Sequence, residues 1–584
     1  MGCCGSTWRC AAGWAPTSAS GCCAGSPDIL VEARRDGPGK ACRTTRGCTT
    51  TRSEEGTPDY AAVVALDGDA RHPRELLGNK GHGIDAMRRH HLPVPPAFCL
   101  TTEVGRNCLA DPAATMDAIW DDVLDRMRWL EAQTSRTFGR GPRPLLVSVR
   151  SGATHSMPGM MDTILDLGMN DAVEDALAAE GGPQFARDTR RRFTHMYQRI
   201  VGRPAPADPY AQLRAGIEAV FASWDSPRAV AYRAHYGLDD RGGTAVVVQA
   251  MVFGNRGPNS GAGAFFSRNP ITGADEPFGE WLPGGQGDDV VSGLVDVGPI
   301  TALRDDQPAV YHELTDAARR LERLAADVQE IEFTVDGGKL WLLQTRAAER
   351  SAQAAVRLAL RLRHEGLIDD TEALRRVTPA HVKALLQPSL QPETRLAAPL
   401  LAAGLPACPG VASGTAYTDV DEALDAADRG EPVILVRDHT RPEDVLGMLA
   451  AQGIVTEVGG AASHAAVVSR ELGRVAVVGC GRGAAAALAG RQVTVDGSEG
   501  EVREGNLSLS AWSEDDTPEL RELADIARRI SPLRAHAAGD HPRLDDTSDA
   551  AVRAAIDEGR TDVVSPKPLI VMLTALRLTA GVAT

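Results

Sequence analysis

The chain has 584 residues, enough for three or four domains, and carries a formal net charge of −16. An acidic balance without a long basic run excludes a dedicated nucleic-acid binder. No apolar run approaches the roughly 20 residues that span a bilayer, so a soluble, cytoplasmic protein is expected.

Seven of the eleven cysteines fall within the first 48 residues, and their spacing fits no zinc pattern. Met1-Gly2-Cys3-Cys4-Gly5-Ser6 matches the loose myristoylation pattern, but residues 1–57 lack periodicity and are expected to be a disordered extension. The four remaining cysteines are scattered singly, as in a reduced protein. Only five of the 62 basic residues are lysines, which singles out each of them.

Patterning begins with a short apolar strand at Ala61 to Leu66. In ELLGNKG, Lys80 stands between glycines ahead of a helical stretch, where it suits either a phosphate oxygen or a solvated loop. Residues 112–133 read as an amphipathic helix. The strand that follows delivers Arg150 to a Ser-Gly turn, where its guanidinium can fork onto phosphate. Met157, Met160 and Met161 read either as ordinary core filler or, given the Pro158-Gly159 turn between them, as a shaped loop near a ligand. Residues 171–236 are mostly helical, and their Arg190-Arg191-Arg192 run reads first as a solvated face.

A strand at Thr244 to Phe253 leads into glycine-rich loops suited to wrapping a nucleotide. The segment QEIEFTVDGGKLWLLQTR predicts a hairpin turning at Asp336-Gly337-Gly338. Glu330 and Glu332 share one face of its first strand, and Gln344 and Arg346 one face of the second. Two carboxylates and an amide oxygen make a hard-oxygen set suited to Mg²⁺, with a salt-bridged sheet edge as the alternative. Helices return over 351–386, and prolines mark a linker near 388–404. Alternating strands and helices then run to about residue 505. Within them GGAASHAAVVSR places His464 at a helix start, beside unpaired N–H groups where a phosphate can sit. Its imidazole is a nucleophile near neutral pH, so a phosphorylated histidine is one reading and a core or loop histidine the other.

Five segments, LLGNKG, LLVSVRSGATHSMPGMMDTILDLGMN, MVFGNRGPNSGAGAFFSRNPITG through GGQGDDVVSG, EIEFTVDGGKLWLLQTR and GGAASHAAVVSRELG, resemble in order those of the pyruvate, phosphate dikinase family. The resemblance implies an α/β (α+β) fold. An ATP-grasp nucleotide-binding domain at 58–350 is followed by a helical segment and linker at 351–404 and a swivelling phosphohistidine domain at 405–505. A helical tail at 506–584 would stand where the family carries a pyruvate-binding barrel. Carried over, Lys80, Arg150 and Arg192 hold ATP phosphates, and Gln249, Met251 and Phe253 line the adenine pocket. Glu280 sits near the sugar or metal, Glu330, Glu332 and Gln344 position Mg²⁺, Arg346 meets the transferring group, and His464 carries the phosphoryl.

The implied substrates are ATP and inorganic phosphate, giving AMP and pyrophosphate. The phosphoryl group then passes to pyruvate or another acceptor, through a separate pyruvate/phosphoenolpyruvate barrel protein. Neither nucleic acid nor membrane is an expected partner, and a homodimer is left open. Glu330 stands where the family usually has Asp, Ala262 replaces a phosphate-loop Thr, Val458 an Arg, and Ala461-Ala462 a Met-Thr pair. These departures keep two alternatives in view: an ATP-dependent small-molecule phosphotransferase, and a non-catalytic nucleotide-sensing remnant.

Overall fold

The computed structural model describes residues 60–579, apart from 156, 158, 293, 294, 296, 387, 388, 391 and 511–516. The Cys-rich extension and the Met1–Ser6 pattern lie outside the described residues.

Two five-stranded antiparallel sheets build the first half. One runs in the order Val63–Ala65, Ala97–Leu100, Thr244–Ala250, Val147–Ala153, Thr163–Leu167. The other runs Gly298–Pro299, Phe278–Pro283, Gly261–Phe266, Gln329–Asp336, Lys339–Ala347. The helix Arg74–Arg89 packs on strands of both, and the Leu342 amide donates to Pro93 O at 2.7 Å. Helices over 112–134 and 183–222 cover the outer face of the first sheet around Phe98, Val149, Leu167 and Tyr197.

The first departure from the sequence reading is at Lys80. Lys80 does not precede the helix but lies inside it, past a break at Gly78 (φ 64°, ψ 174°). A Cβ at Gly78 would stand 1.6 Å from the Gly152 carbonyl oxygen, so both the positive φ and the close approach require glycine.

The histidine-bearing region is an eight-stranded mixed sheet with a parallel centre, Val411–Tyr417, Val433–Arg437, Gly453–Thr456, Val475–Val478. Its middle strands are buried on both faces, hence the unbroken apolar runs VILV and VAVV. The sheet begins earlier than residue 405, because Leu400–Ala403 pairs with Glu501–Glu504.

The last segment is not a purely helical tail. Arg534–His536 and Asp562–Val564 form a parallel pair among helices Pro518–Ile530, Asp549–Asp557 and Pro568–Thr579. Strands of three residues are too short for periodicity to reveal. This unit shares one core with the helices of 352–385, through Leu358, Leu362, Leu374, Leu520, Leu523 and Leu569. Arg357–Glu519 (3.0 Å) and Arg363–Glu522 (3.2 Å) border that core. Among the described residues no helix is long and apolar enough to cross a membrane.

Candidate active site

Between the two first-half sheets and the histidine domain lies a cleft of about 730 Å³. Lys80, Arg150, Gln249, Met251, Glu332, Gln344, Arg346 and His464 all line it. The hairpin sets Glu332 directly across from Gln344, and Glu330 across from Arg346. A bulge follows, between Glu332 and Phe333, and turns the Leu343 carbonyl toward Arg150. Arg150 donates to Glu332 Oε2 at 2.7 Å, Gln344 Oε1 at 3.2 Å, Gln249 Oε1 at 3.4 Å and Leu343 O at 3.4 Å. Arg346 forks onto Glu330 at 2.8 and 3.1 Å.

Burial, with Arg150 and Arg346 beside it, pushes the Lys80 ammonium down to about 7, against the pull of Glu332. Burial opposes ionisation of Glu332, but Arg150, Lys80 and Arg346 outweigh it and hold its carboxyl below the usual range. Three cationic side chains around this carboxylate form a seat for a polyanion.

His464 opens the helix His464–Leu472, whose N-cap Ser463 accepts from the Ala466 amide at 3.4 Å. Its Nδ1 lies 3.0 Å from Thr440 Oγ1. Its buried Nε2 has no hydrogen-bond partner among the described residues. Burial lowers the imidazole pKa to about 4, against Asp444 and Glu443, so the ring is neutral at pH 7. In the tautomer whose Nδ1–H donates to Thr440 Oγ1, the Nε2 lone pair is left free as a nucleophile. Gly159 (φ +72°) makes room for it: a Cβ there would stand 2.7 Å from Cδ2 and 2.8 Å from Nε2 of His464.

Four residues expected in the site stand elsewhere. Phe253 is buried edge-on against Phe185, at 5.1 Å between ring centroids, because the strand that carries it ends at Ala250. Arg192 lies outside the cleft lining and is held by Asp188 (2.9 Å), Asp289 (2.7 Å) and Asp288 (3.3 Å). Glu330 also lies outside the lining, in its pair with Arg346. Glu280 reaches across to the histidine domain rather than into the cleft. Its Oε1 accepts the Ala462 amide at 3.1 Å, and the Ala461 amide bonds it as well. Burial raises the Glu280 carboxyl to about 7, and these two amides limit the rise.

Sequence reasoning missed Thr440, and Asp288 and Asp289 as partners of Arg192. For Thr440 a signal existed. Its loop and the His464 loop leave the carboxyl ends of adjacent parallel strands, Val433–Arg437 and Gly453–Thr456, where ligand-facing loops cluster in α/β sheets.

Two antiparallel sheets and a histidine-bearing α/β domain thus enclose a cationic cleft suited to a polyanion. The family model described as "Pyruvate phosphate dikinase, AMP/ATP-binding domain" matches residues 116–313. That described as "PEP-utilising enzyme, mobile domain" matches residues 430–500. Over these two segments the chain is similar to the pyruvate, phosphate dikinase family.

Pyruvate, phosphate dikinase of Clostridium symbiosum is 39% identical over 501 residues, 75% of this chain and 57% of its own. Pyruvate, phosphate dikinase 2 of Zea mays is 38% identical over 536 residues (80% and 60%), and the Rhizobium meliloti (strain 1021) enzyme 38% over 531 (78% and 59%). The chain thus spans less than two thirds of the length of these curated relatives.

Proposed function

We propose that the chain is a pyruvate, phosphate dikinase-like phosphotransferase that uses ATP to phosphorylate His464. The observation that carries this reading is the unpartnered Nε2 of a neutral His464 in the same cleft as Lys80, Arg150 and Arg346. In the proposed step Nε2 attacks the β-phosphorus of ATP, an N–P bond forms, and the bond from that phosphorus to the α,β-bridging oxygen breaks. AMP leaves with the electron pair, and the pyrophosphoryl group then yields its terminal phosphoryl to inorganic phosphate. Thr440 holds the proton at Nδ1, and Lys80, Arg150 and Arg346 neutralise phosphate charge, so alignment and electrostatics supply the catalysis.

The donor chemistry fits Mg²⁺ at Glu332 and Gln344, which offer hard oxygens on the cleft wall. Their present partner is Arg150, and Glu330 is taken by Arg346. An arriving polyphosphate draws these guanidiniums away and frees the oxygens for a cation. Bound there, Mg²⁺ would neutralise charge on the phosphates. Pyruvate, or another acceptor on a separate protein, would take the phosphoryl from His464. The four described cysteines are free, which supports a cytoplasmic setting.

Release of AMP from ATP tests the reading. Wild type should form AMP in a phosphate-dependent manner and His464→Ala should not; AMP formation at equal rates by both would overturn it.

A further inference from the structure

The parallel strand pair near the carboxyl end lies far along the chain from the nucleotide cleft and has a polar face of its own. Ala535 and Val563 point into the helical core and are fully buried. Strand alternation therefore turns Arg534, His536 and Asp562 to the opposite face. A third backbone segment runs beside Asp562–Val564: the Val564 amide donates to Pro542 O at 2.9 Å, and the Leu544 amide to Val564 O at 2.8 Å. That segment brings in His541.

His536 Nε2 lies 3.0 Å from Asp562 Oδ1, and the His536 and His541 rings stack with centroids 5.0 Å apart at 26°. One ligand atom from each of the three residues falls within 4.8 Å of the others. It is the one such three-residue group found among the described residues. We propose that His536, His541 and Asp562 form a binding site for a divalent transition metal of the zinc class.

Two imidazoles and one carboxylate suit Zn²⁺, Co²⁺ or Ni²⁺, whereas Mg²⁺ prefers oxygen alone. Ligands of a tetrahedral zinc, each about 2.0–2.2 Å from the ion, lie roughly 3.3 Å from one another. His536 and Asp562 already stand at that spacing, and exposed His541 closes the remainder by side-chain rotation. Arg534 and Thr561 bond Asp562 Oδ2 at 2.6 and 3.0 Å, which orients the carboxylate and leaves Oδ1 for the ion. The metal would pin the 537–544 segment to the strand pair and keep one position for water or an outside ligand.

The test uses the full chain, stripped by a chelator and held in excess Mg²⁺ so that hard-oxygen sites are filled. Zn²⁺ is titrated calorimetrically, and Co²⁺ by its visible d–d absorption. Wild type should bind one equivalent with a rise in Tm. His541→Ala, an exposed change that spares the core, should weaken binding by at least about 10- to 100-fold, as should Asp562→Asn. No Zn²⁺ binding by wild type, or binding and a Tm rise unchanged in His541→Ala and Asp562→Asn, would overturn the assignment.

Discussion

Glu280 and Ala462 belong to different halves of the protein, yet the Ala462 amide donates to Glu280 Oε1 at 3.1 Å. A carboxylate of the nucleotide half thereby grips the backbone of the loop that carries His464. Gly460 permits the grip, since a Cβ there would stand 2.0 Å from Glu280 Oε1. Removing one side of a buried hydrogen bond costs about 1–3 kcal/mol. Glu280→Ala should therefore slow His464 phosphorylation by about 10- to 100-fold, at roughly 1.4 kcal/mol per factor of ten, with nucleotide affinity unchanged. Gly460→Ala should act alike, and the double variant should be less than additive. Single-turnover labelling and nucleotide titration separate the two effects; additive losses would count against the contact.

Lys80 gives the cleft a pH dependence. Its free-state pKa is lowered to about 7, and bound phosphate favours the charged ammonium and raises it. Affinity is then full below pH 7 and falls as pH rises from 7 toward the higher bound-state pKa. Once nucleotide and other protein ionisations are common to both chains, wild type should show this decline and Lys80→Met should be flatter as well as weaker. Parallel pH profiles would contradict the assignment.

His464 should behave differently. Burial holds it near 4, so its phosphorylation rate should show no step at the usual histidine pKa of about 6.5. Thr440→Val removes the partner of Nδ1 and should lower the rate by about 10-fold or more, whereas Thr440→Ser should retain it. A rate-limiting step near 6.5, or an unaffected Thr440→Val, would show that the ring reacts from another environment.

Gly159→Ala sets a methyl group against the imidazole, at a position with φ +72°. It should impair phosphorylation while leaving nucleotide binding intact. Gly78→Ala acts on the fold instead, because its Cβ would meet the Gly152 carbonyl at 1.6 Å in a strained φ. Strain of this kind costs about 1–3 kcal/mol before the clash is added, so Tm should drop measurably. Thermal denaturation beside nucleotide titration distinguishes the two glycines.

Much of the frame is legible in the residues because it is local. The Gln329–Ala347 hairpin follows from its alternation and its Gly-Gly turn, and the parallel sheet from short apolar strands between helices. What escapes is set by distant contacts. Gly78 breaks a helix because of the Gly152 backbone, 74 positions away in the sequence numbering. Glu280 looks like a cleft residue until the His464 loop packs on it. Phe253 leaves the cleft because its strand stops three residues sooner than its apolar run. The carboxyl-terminal segment becomes part of a core only when it meets the helices of 352–385.

Phosphorus-31 NMR of the chain after a single turnover with Mg²⁺ and ATP, paired with peptide mapping under alkaline conditions, asks the central question most directly. The expected outcome is a phosphoramidate on Nε2 of His464, absent from His464→Ala. No phosphohistidine in the folded, nucleotide-bound chain, or a phosphoryl group on another residue, would contradict the role given to His464.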